Sequence, residues 1–395
     1  MKILVICQYY YPEPFRLQDI CEELVKRGHD VTVVTGTPNY PMGEVYPGYE
    51  NGQRMDDIVN GVTVHRCITA PRKTGSVNRV KNYFSYPIAS KKYIKTLPDD
   101  FDVVFVNQLS PVMMAEAGIW YKKKHNKKLV LYCLDLWPES LCVGGIKKES
   151  LVYKVFKFLS KRVYRSADQI LITSRSFRGY LKDMFDIADE KISYLPQYAE
   201  SQFLELKEKK TGEVFNLLFA GNIGTAQSVG TIIDAASLLV NEKVLFHIVG
   251  DGIELENLKK RAKGLSNIVF HGRKPLEDMP RYYEAADAML VTLTDDPIIS
   301  LTLPGKIQTY MAAGKPIVGA INGETALVLN DAQGGYCGPA GDSKALAENI
   351  QNLIHVGNTT EIGRKNRMYY SNIFLKERII DMLIKTIDGV MRGSD

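Results

Sequence analysis

The sequence predicts an α/β protein built of two doubly wound, Rossmann-like domains. Three observations predict it. Short apolar strand patterns alternate with helical periodicity along most of the chain. That alternation breaks once, near KISYLPQYAE (191–200), and then restarts. A length of 395 residues also suits two cores of ordinary size better than one.

The elements follow in order. KILVIC (2–7), DVTVVTG (30–36), TVHRC (63–67), DVVFVNQ (102–108), LVLYCLD (129–135) and QILITS (169–174) read as strands of a first parallel sheet covered on both faces. The lysine- and glutamate-rich LELKEKKTGE (204–213) reads as a joint. FNLLFAG (215–221), LFHIVGDG (245–252), IVFHG (268–272), AMLVTLT (288–294) and PIVGAI (316–321) then supply a second sheet. The amphipathic LKERIIDMLIKTIDGVM (375–391) reads as a last helix packing back on the first domain. The expected domains are 1–198 and 199–374, with 375–395 returning to the first. Ligands of such sheets sit beyond the carboxyl ends of the strands. Two facing domains would thus hold two substrates, an architecture for group transfer.

Composition narrows the function. At 45% hydrophobic and 24% charged residues the chain is of globular type, and no apolar run approaches the roughly 20 residues that cross a bilayer. The N-terminus reads as a strand, not a signal peptide. Six scattered cysteines without a C-x-x-C pair fit buried free thiols in the cytoplasm. Net charge is +5 but uneven: residues 1–198 hold 29 Lys and Arg against 21 Asp and Glu, and the remainder 21 against 24. A basic first half suits an anionic surface or substrate. Nucleic acid is not expected, because no recognition motif accompanies the charge. Runs such as KKKHNKK (122–128) read singly as solvated faces.

Four loops after strands of the second half carry candidate chemistry. In FAGNIGTAQSVGTII (219–233), Gly221 and Gly224 would let backbone amides approach an anion at a helix start, although they could equally shape a turn. Gly250 and Asp251 follow the next strand, and Arg273 and Lys274 the one after. The most specific loop is LTLPGKIQTYMAAGKPIVG (301–319). There Thr302, Leu303 and Gly305 approach a helix, and Lys306 lies in its first turn. The helix dipole disfavours a cation at that end unless an anion compensates it, and a diphosphate would do so.

The strings RGHDVTVVTGTPNYP (27–41), LDLWPES (134–140), SADQILITS (166–174), FAGNIG, IVGDG, FHGR and PGKIQTYMAAGKPIVG come in the order and spacing of a known group. Over essentially its whole length the chain resembles the retaining glycosyltransferases of family four, which have the GT-B fold, and their capsule and O-antigen branch in particular. The resemblance implies a nucleotide-sugar, usually UDP-linked, bound by the second domain, with FHGRKP on the base and the PGK loop on the diphosphate. It implies no cofactor and no metal. The family's Arg and Lys clamp aligns with Asn222 and Gln227, which leaves Lys306, with Arg273, to supply positive charge. The family's glutamate pair falls on Leu301 and Thr309, and Glu324 is a candidate substitute. Asp135 and Glu139 stand where relatives touch the donor sugar; Asp135 could instead cap the turn before Trp137-Pro138.

No carboxylate pair is placed here as in retaining glycoside hydrolases; the resemblance instead implies front-face attack, with the leaving phosphate stabilised by amides, helix dipole and Lys306. The implied acceptor is a lipid-diphosphate-linked saccharide at the inner face of the cytoplasmic membrane, and the implied sugar an N-acetylated hexosamine or deoxyhexosamine. KKESLVYKVFKFLSKRVYR (147–165) would suit an interfacial helix, its apolar residues Leu151, Val155, Phe156, Phe158 and Leu159 being equally suited to core packing. A sugar-nucleotide epimerase and a non-catalytic nucleotide-sugar-binding subunit stand as alternatives. The first loop, QYYYPEPFR (8–16), holds no glycine where a dinucleotide fold needs one. Tyr10, Tyr11, Glu13 and Arg16 are therefore expected to meet the acceptor.

Overall fold

Ile3, Leu4, Val5 and Ile6 of β1 (Lys2–Ile6) are all fully buried, as a parallel strand covered on both faces must be. The computed structural model describes residues 1–73, 75–207, 212–357 and 359–393, and these fall into two units. The first comprises residues 1–173, 177–195 and the chain from Ile380; the second comprises 174–176 and 196–379. The division thus falls slightly before the expected 198, and residues 208–211 of the expected joint lie outside the described residues.

In the first unit β1 is followed by α1 (Leu17–Lys26), β2 (Asp30–Gly36), β3 (Asp56–Val59), β4 (Val62–Cys67) and α2 (Ser76–Ile94). Then come β5 (Val103–Gln108), α3 (Glu116–His125), β6 (Lys128–Cys133), α4 (Glu139–Val143), α5 (Leu151–Ser166), β7 (Gln169–Ile172), α6 (Phe177–Phe185) and β8 (Ile192–Tyr194). Among the described residues the sheet order is β3-β4-β2-β1-β5-β6-β7-β8, parallel except for the β3–β4 pair. Strand order reverses between β1 and β5, so the loops after those two strands diverge and leave a crevice.

The second unit contains β9 (Phe215–Ala220), α7 (Gly230–Leu238), β10 (Val244–Val249), α8 (Leu255–Arg261), β11 (Ile268–Gly272), α9 (Met279–Ala285) and β12 (Ala288–Thr292). It continues with α10 (Gly305–Ala312), β13 (Ile317–Ala320), α11 (Gly323–Ala332), β14 (Gly335–Gly338), α12 (Ser343–Val356) and α13 (Thr359–Ile373). Its sheet, β11-β10-β9-β12-β13-β14, is parallel throughout and reverses between β9 and β12. Leu217, Phe219, Phe246, Ile248 and Leu290 centre its core. The last helix, α14 (Lys376–Arg392), belongs to the first unit from Ile380 on, where Arg27 pairs with Asp381.

Every strand expected from the sequence forms, and three more appear. β3 is an edge strand turning into β4 through Asn60 and Gly61, both with positive φ, the geometry of an Asn-Gly hairpin turn. β8 and β14 are short edge strands whose sequences, ISY and GYCG, lack a legible apolar run.

Candidate active site

In the second unit the carboxyl ends of β9 and β10 are floored by glycine. Gly221, Gly250 and Gly252 have φ of 148°, 151° and 158°. A Cβ on Gly250 would lie 1.8 Å from the Gly221 oxygen, and one on Gly252 2.3 Å from the Ile223 oxygen. No side chain fits either position. Gly221, one of the two glycines expected to let amides approach an anion, donates its own amide to Val249 O at 3.0 Å, and Gly250 donates to Gly272 O at 3.0 Å. This corrects their role: they pack strand ends together and are not free donors. The exposed Asp251 carboxylate accepts the Gly252 amide of its own loop at 2.7 Å.

Lys306 occupies the first turn of α10, as expected. Tyr310 fastens that helix to the end of β9, accepting the Ala220 amide at 3.0 Å and donating to the Ala220 oxygen at 3.2 Å. The Lys306 ammonium donates to Gln227 Oε1 at 3.0 Å and lies 4.0 Å from the centre of the Phe219 ring. Among the described residues it meets no carboxylate, and burial pulls its pKa down to about 7. Gln227 is held in turn, its backbone oxygen accepting from Thr292 Oγ1 at 2.6 Å. Asn222 and Gly224 lie on the same loop, Asn222 exposed. These residues form a cationic centre at the sheet's switch point.

Thr302, Leu303 and Gly305 shape the approach to α10: Thr302 Oγ1 donates to Ile299 O at 2.5 Å and Leu303 is buried. Thr309 is buried too, its hydroxyl donating back to Gly305 O at 3.3 Å. Glu324 requires correction as a substitute for the missing glutamates. It is 1% exposed, and its oxygens accept from Arg175 N and Nε and from Ser176 N and Oγ. With every oxygen so engaged it is a structural anchor, not a sugar contact.

At the end of β11, Arg273 is exposed and Lys274 half-buried. Behind them runs a chain the sequence did not disclose. His271 Nε2 lies 2.9 Å from His247 Nδ1, and His247 Nε2 lies 3.1 Å from Asn216 Oδ1. Asn216 Nδ2 donates to Val214 O, which leaves Oδ1 to accept, so both histidines carry the Nε2 proton. Burial, with the nearby Lys274 charge, keeps the His271 pKa low. A histidine on each of two neighbouring parallel strands, His247 opposite Val269 and His271 two residues further on at the register shift, is the available signal.

In the first unit, Glu13 and Tyr10 must also be corrected. Glu13 is 2% exposed and accepts the amides of Tyr10 at 3.1 Å, Asn39 at 2.9 Å and Tyr40 at 2.7 Å. Tyr10 is 1% exposed and presents no ring to a ligand. Tyr9 stacks on Phe15 at 5.2 Å, with Tyr40 against both. The glycine-free loop is thus a tied aromatic block whose half-exposed members include Tyr11 and Arg16.

Asp135 stands at the end of β6 and does not cap the following turn, because the Trp137 amide donates to Tyr164 Oη at 3.0 Å. Its carboxylate instead accepts from Ser110 Oγ at 2.8 Å, and Ser110 accepts from Trp137 Nε1 at 2.9 Å. Burial raises the Asp135 pKa against that hydrogen bond. Ser110, missed in the sequence, follows β5 at the switch point, where its Ser-Pro step marks a turn. Glu139 is fully buried, bonded to Tyr153 at 2.8 Å and Tyr180 at 3.2 Å and paired with Lys148 at 3.1 Å. It is corrected from a reacting-centre contact to a core anchor.

Residues 16–197 match the family described as Glycosyltransferase Family 4, and residues 214–355 the family described as Glycosyl transferases group 1. The probable glycosyltransferase WbjE of Pseudomonas aeruginosa is 30% identical over 244 residues, 58% of this chain; the match spans 60% of that relative's length. The putative colanic acid biosynthesis glycosyl transferase WcaI of Escherichia coli K12 is 24% identical, covering 80% of this chain and 82% of its own. Among solved structures, Alr3699/HepE of Anabaena in complex with UDP is similar in fold, with a TM-score of 0.71 and 16% identity over 98% of this chain and 100% of that one.

Proposed function

We propose that this chain, which belongs to the family-four glycosyltransferases with their GT-B fold, moves a sugar with retention from a UDP-sugar to a lipid-diphosphate-linked saccharide. Capsule or O-antigen synthesis is the setting we propose, supported by the description of the relative WcaI as a putative colanic acid biosynthesis glycosyl transferase. The sugar we propose is an N-acetylated hexosamine or deoxyhexosamine.

The observation that carries this reading is Lys306. An ammonium held by Gln227 over Phe219, in a first helical turn without a carboxylate, is suited to a diphosphate. As the bond from the anomeric carbon to the β-phosphate oxygen lengthens, negative charge grows on that oxygen, and Lys306 with the α10 dipole stabilises it. The acceptor hydroxyl attacks from the face the diphosphate leaves, passing its proton to the departing β-phosphate oxygen, so configuration is kept. Asp135, oriented by Ser110, is the remaining candidate for a polar contact to the sugar. The scheme assigns no role to a cofactor beyond the donor.

Attachment to the inner membrane surface is part of the proposal. Leu151, Val155 and Phe158 of α5 are 76%, 48% and 69% exposed, which favours an interfacial face over core packing. Val77, Val80, Phe84 and Ile88 form a second exposed stripe on α2, and both helices pack on the turn at Val112–Ala115. Lysines flank both stripes.

The test is incubation with UDP-sugars, with and without lipid-linked acceptor, with the product anomer read by NMR. Acceptor-dependent UDP release with retained configuration supports the proposal. Sugar conversion without acceptor points to an epimerase, and binding without turnover to a non-catalytic subunit.

A further inference from the structure

The second unit holds a cavity of about 360 Å³ away from the donor loops. It is lined by residues just before β12 and β13, namely Asp287 and the Gly314–Pro316 turn, and so opens at the amino end of the sheet. The first two turns of α13 close one side. That volume falls within the roughly 300–1,000 Å³ of small-molecule sites.

Its lining is cationic. Lys207, Lys315, Arg364 and Arg367 face a single carboxylate, Asp287, which accepts the Asn216 amide at 2.7 Å. Lys315 is anchored on the carbonyls of Ala286 at 2.7 Å and Glu284 at 3.3 Å. Arg367 is fixed from one end, where Nη1 donates to Leu204 O at 2.5 Å, while its Nε is buried without a hydrogen-bond partner. A Cβ on Gly314 would lie 3.3 Å from that Nε and 3.4 Å from Nη2. Gly314, with φ of +64°, thus packs against the buried Nε side of Arg367, whose guanidinium charge lines the cavity. Burial lowers the pKa of Arg367 with no carboxylate opposing it. Thr359 and Thr360, which open the 15-residue α13, add the positive end of a helix.

We propose that this cavity binds a small phosphorylated ligand, its phosphate held by the charge of Arg367 inside and by Arg364 and Lys207 at the mouth. The site is separate from the donor loops, and its occupancy does not depend on the transfer reaction. Nothing in the lining reads a nucleobase; the recognised group is the phosphate.

Calorimetric titration with inorganic pyrophosphate and with a hexose 1-phosphate tests this, using Lys306→Ala protein so that the donor loops are weakened. Saturable binding is expected to persist in that background. Adding Arg367→Gln should weaken it about tenfold or more, the worth of a charge-assisted hydrogen bond. Arg364→Ala, at an exposed position, should weaken it severalfold with an unchanged melting temperature, and this variant carries the test if Arg367→Gln does not fold. Loss of all saturable binding with Lys306→Ala overturns the proposal. So does binding that neither arginine substitution alters.

Discussion

At the scale of single residues, the acids and the base of this protein divide by what their atoms already hold. Lys306 is held by a neutral amide over a ring, with no carboxylate to neutralise its ammonium among the described residues, so a bound anion is what restores its full charge. Lys306→Ala is expected to lower turnover about 10²–10³-fold, the usual loss on removing one transition-state donor, in the UDP-release assay. Because the free ammonium titrates near 7 and a bound diphosphate favours the charged form, UDP affinity should fall as pH rises from about 7 to 9. Lys306→Arg should flatten that decline; an unchanged wild-type affinity across this range counts against the assignment. Glu13, Glu139 and Glu324 show the opposite case. The sequence offers them as polar candidates, but only the fold reveals the hydrogen bonds that already hold them: backbone amides on Glu13, Tyr153 and Tyr180 on Glu139, and Arg175 and Ser176 on Glu324. Glu13→Ala leaves three amides unpaired and should destabilise by about 3 kcal/mol or more. Burial raises the Glu13 carboxyl to about 7, so the native state holds its proton where the unfolded chain releases it, above about 4.5. Its contribution therefore shrinks as pH rises from 4.5 to 7, and the stability gap between wild type and Glu13→Ala should narrow over that interval in denaturant titrations.

At the scale of elements, the sequence was most legible where apolar runs are long. The central strands β1, β5 and β9 have continuous apolar patterns because both faces of a parallel sheet are covered. β14 escaped notice because a GYCG edge strand carries no such run. The start of α10 was legible for a different reason: a lysine directly after Pro-Gly at a helix start conflicts with the dipole unless a ligand resolves it. The glycine loops follow β9 and β10 as the sequence indicates, but a G-x-x-G or G-D-G string does not reveal where the amides point. Gly250→Ala tests the packing role. Its Cβ would fall 1.8 Å from backbone oxygen, so a loss at the large end for one substitution, about 4 kcal/mol or more, is expected in thermal unfolding. A neutral result would mean that the β9 and β10 ends can part.

At the scale of the whole molecule, the two-unit plan was readable from the single interruption near 200 and from chain length. The assignment of short segments to units was not: Ser174–Ser176 cluster with the second unit, and α14 changes unit at Ile380. Such exchanges depend on side-chain packing between distant segments, which periodicity does not encode. The charge asymmetry is legible from counting alone, and it makes a whole-molecule prediction. Binding to anionic vesicles should weaken as salt rises, because screening shortens the reach of the basic half. Phe158→Ser should weaken vesicle binding further without lowering the melting temperature, since that ring is already 69% exposed. Flotation assays at two ionic strengths distinguish the effects, and binding indifferent to both salt and Phe158 would refute membrane docking. For a laboratory library aimed at new sugar donors, the backbone-on-backbone floor beneath β9 and β10 shrinks the search. Diversity introduced at Gly250 or Gly252 is spent on chains that do not fold, whereas Asn222, with its exposed side chain, is open to all twenty residues.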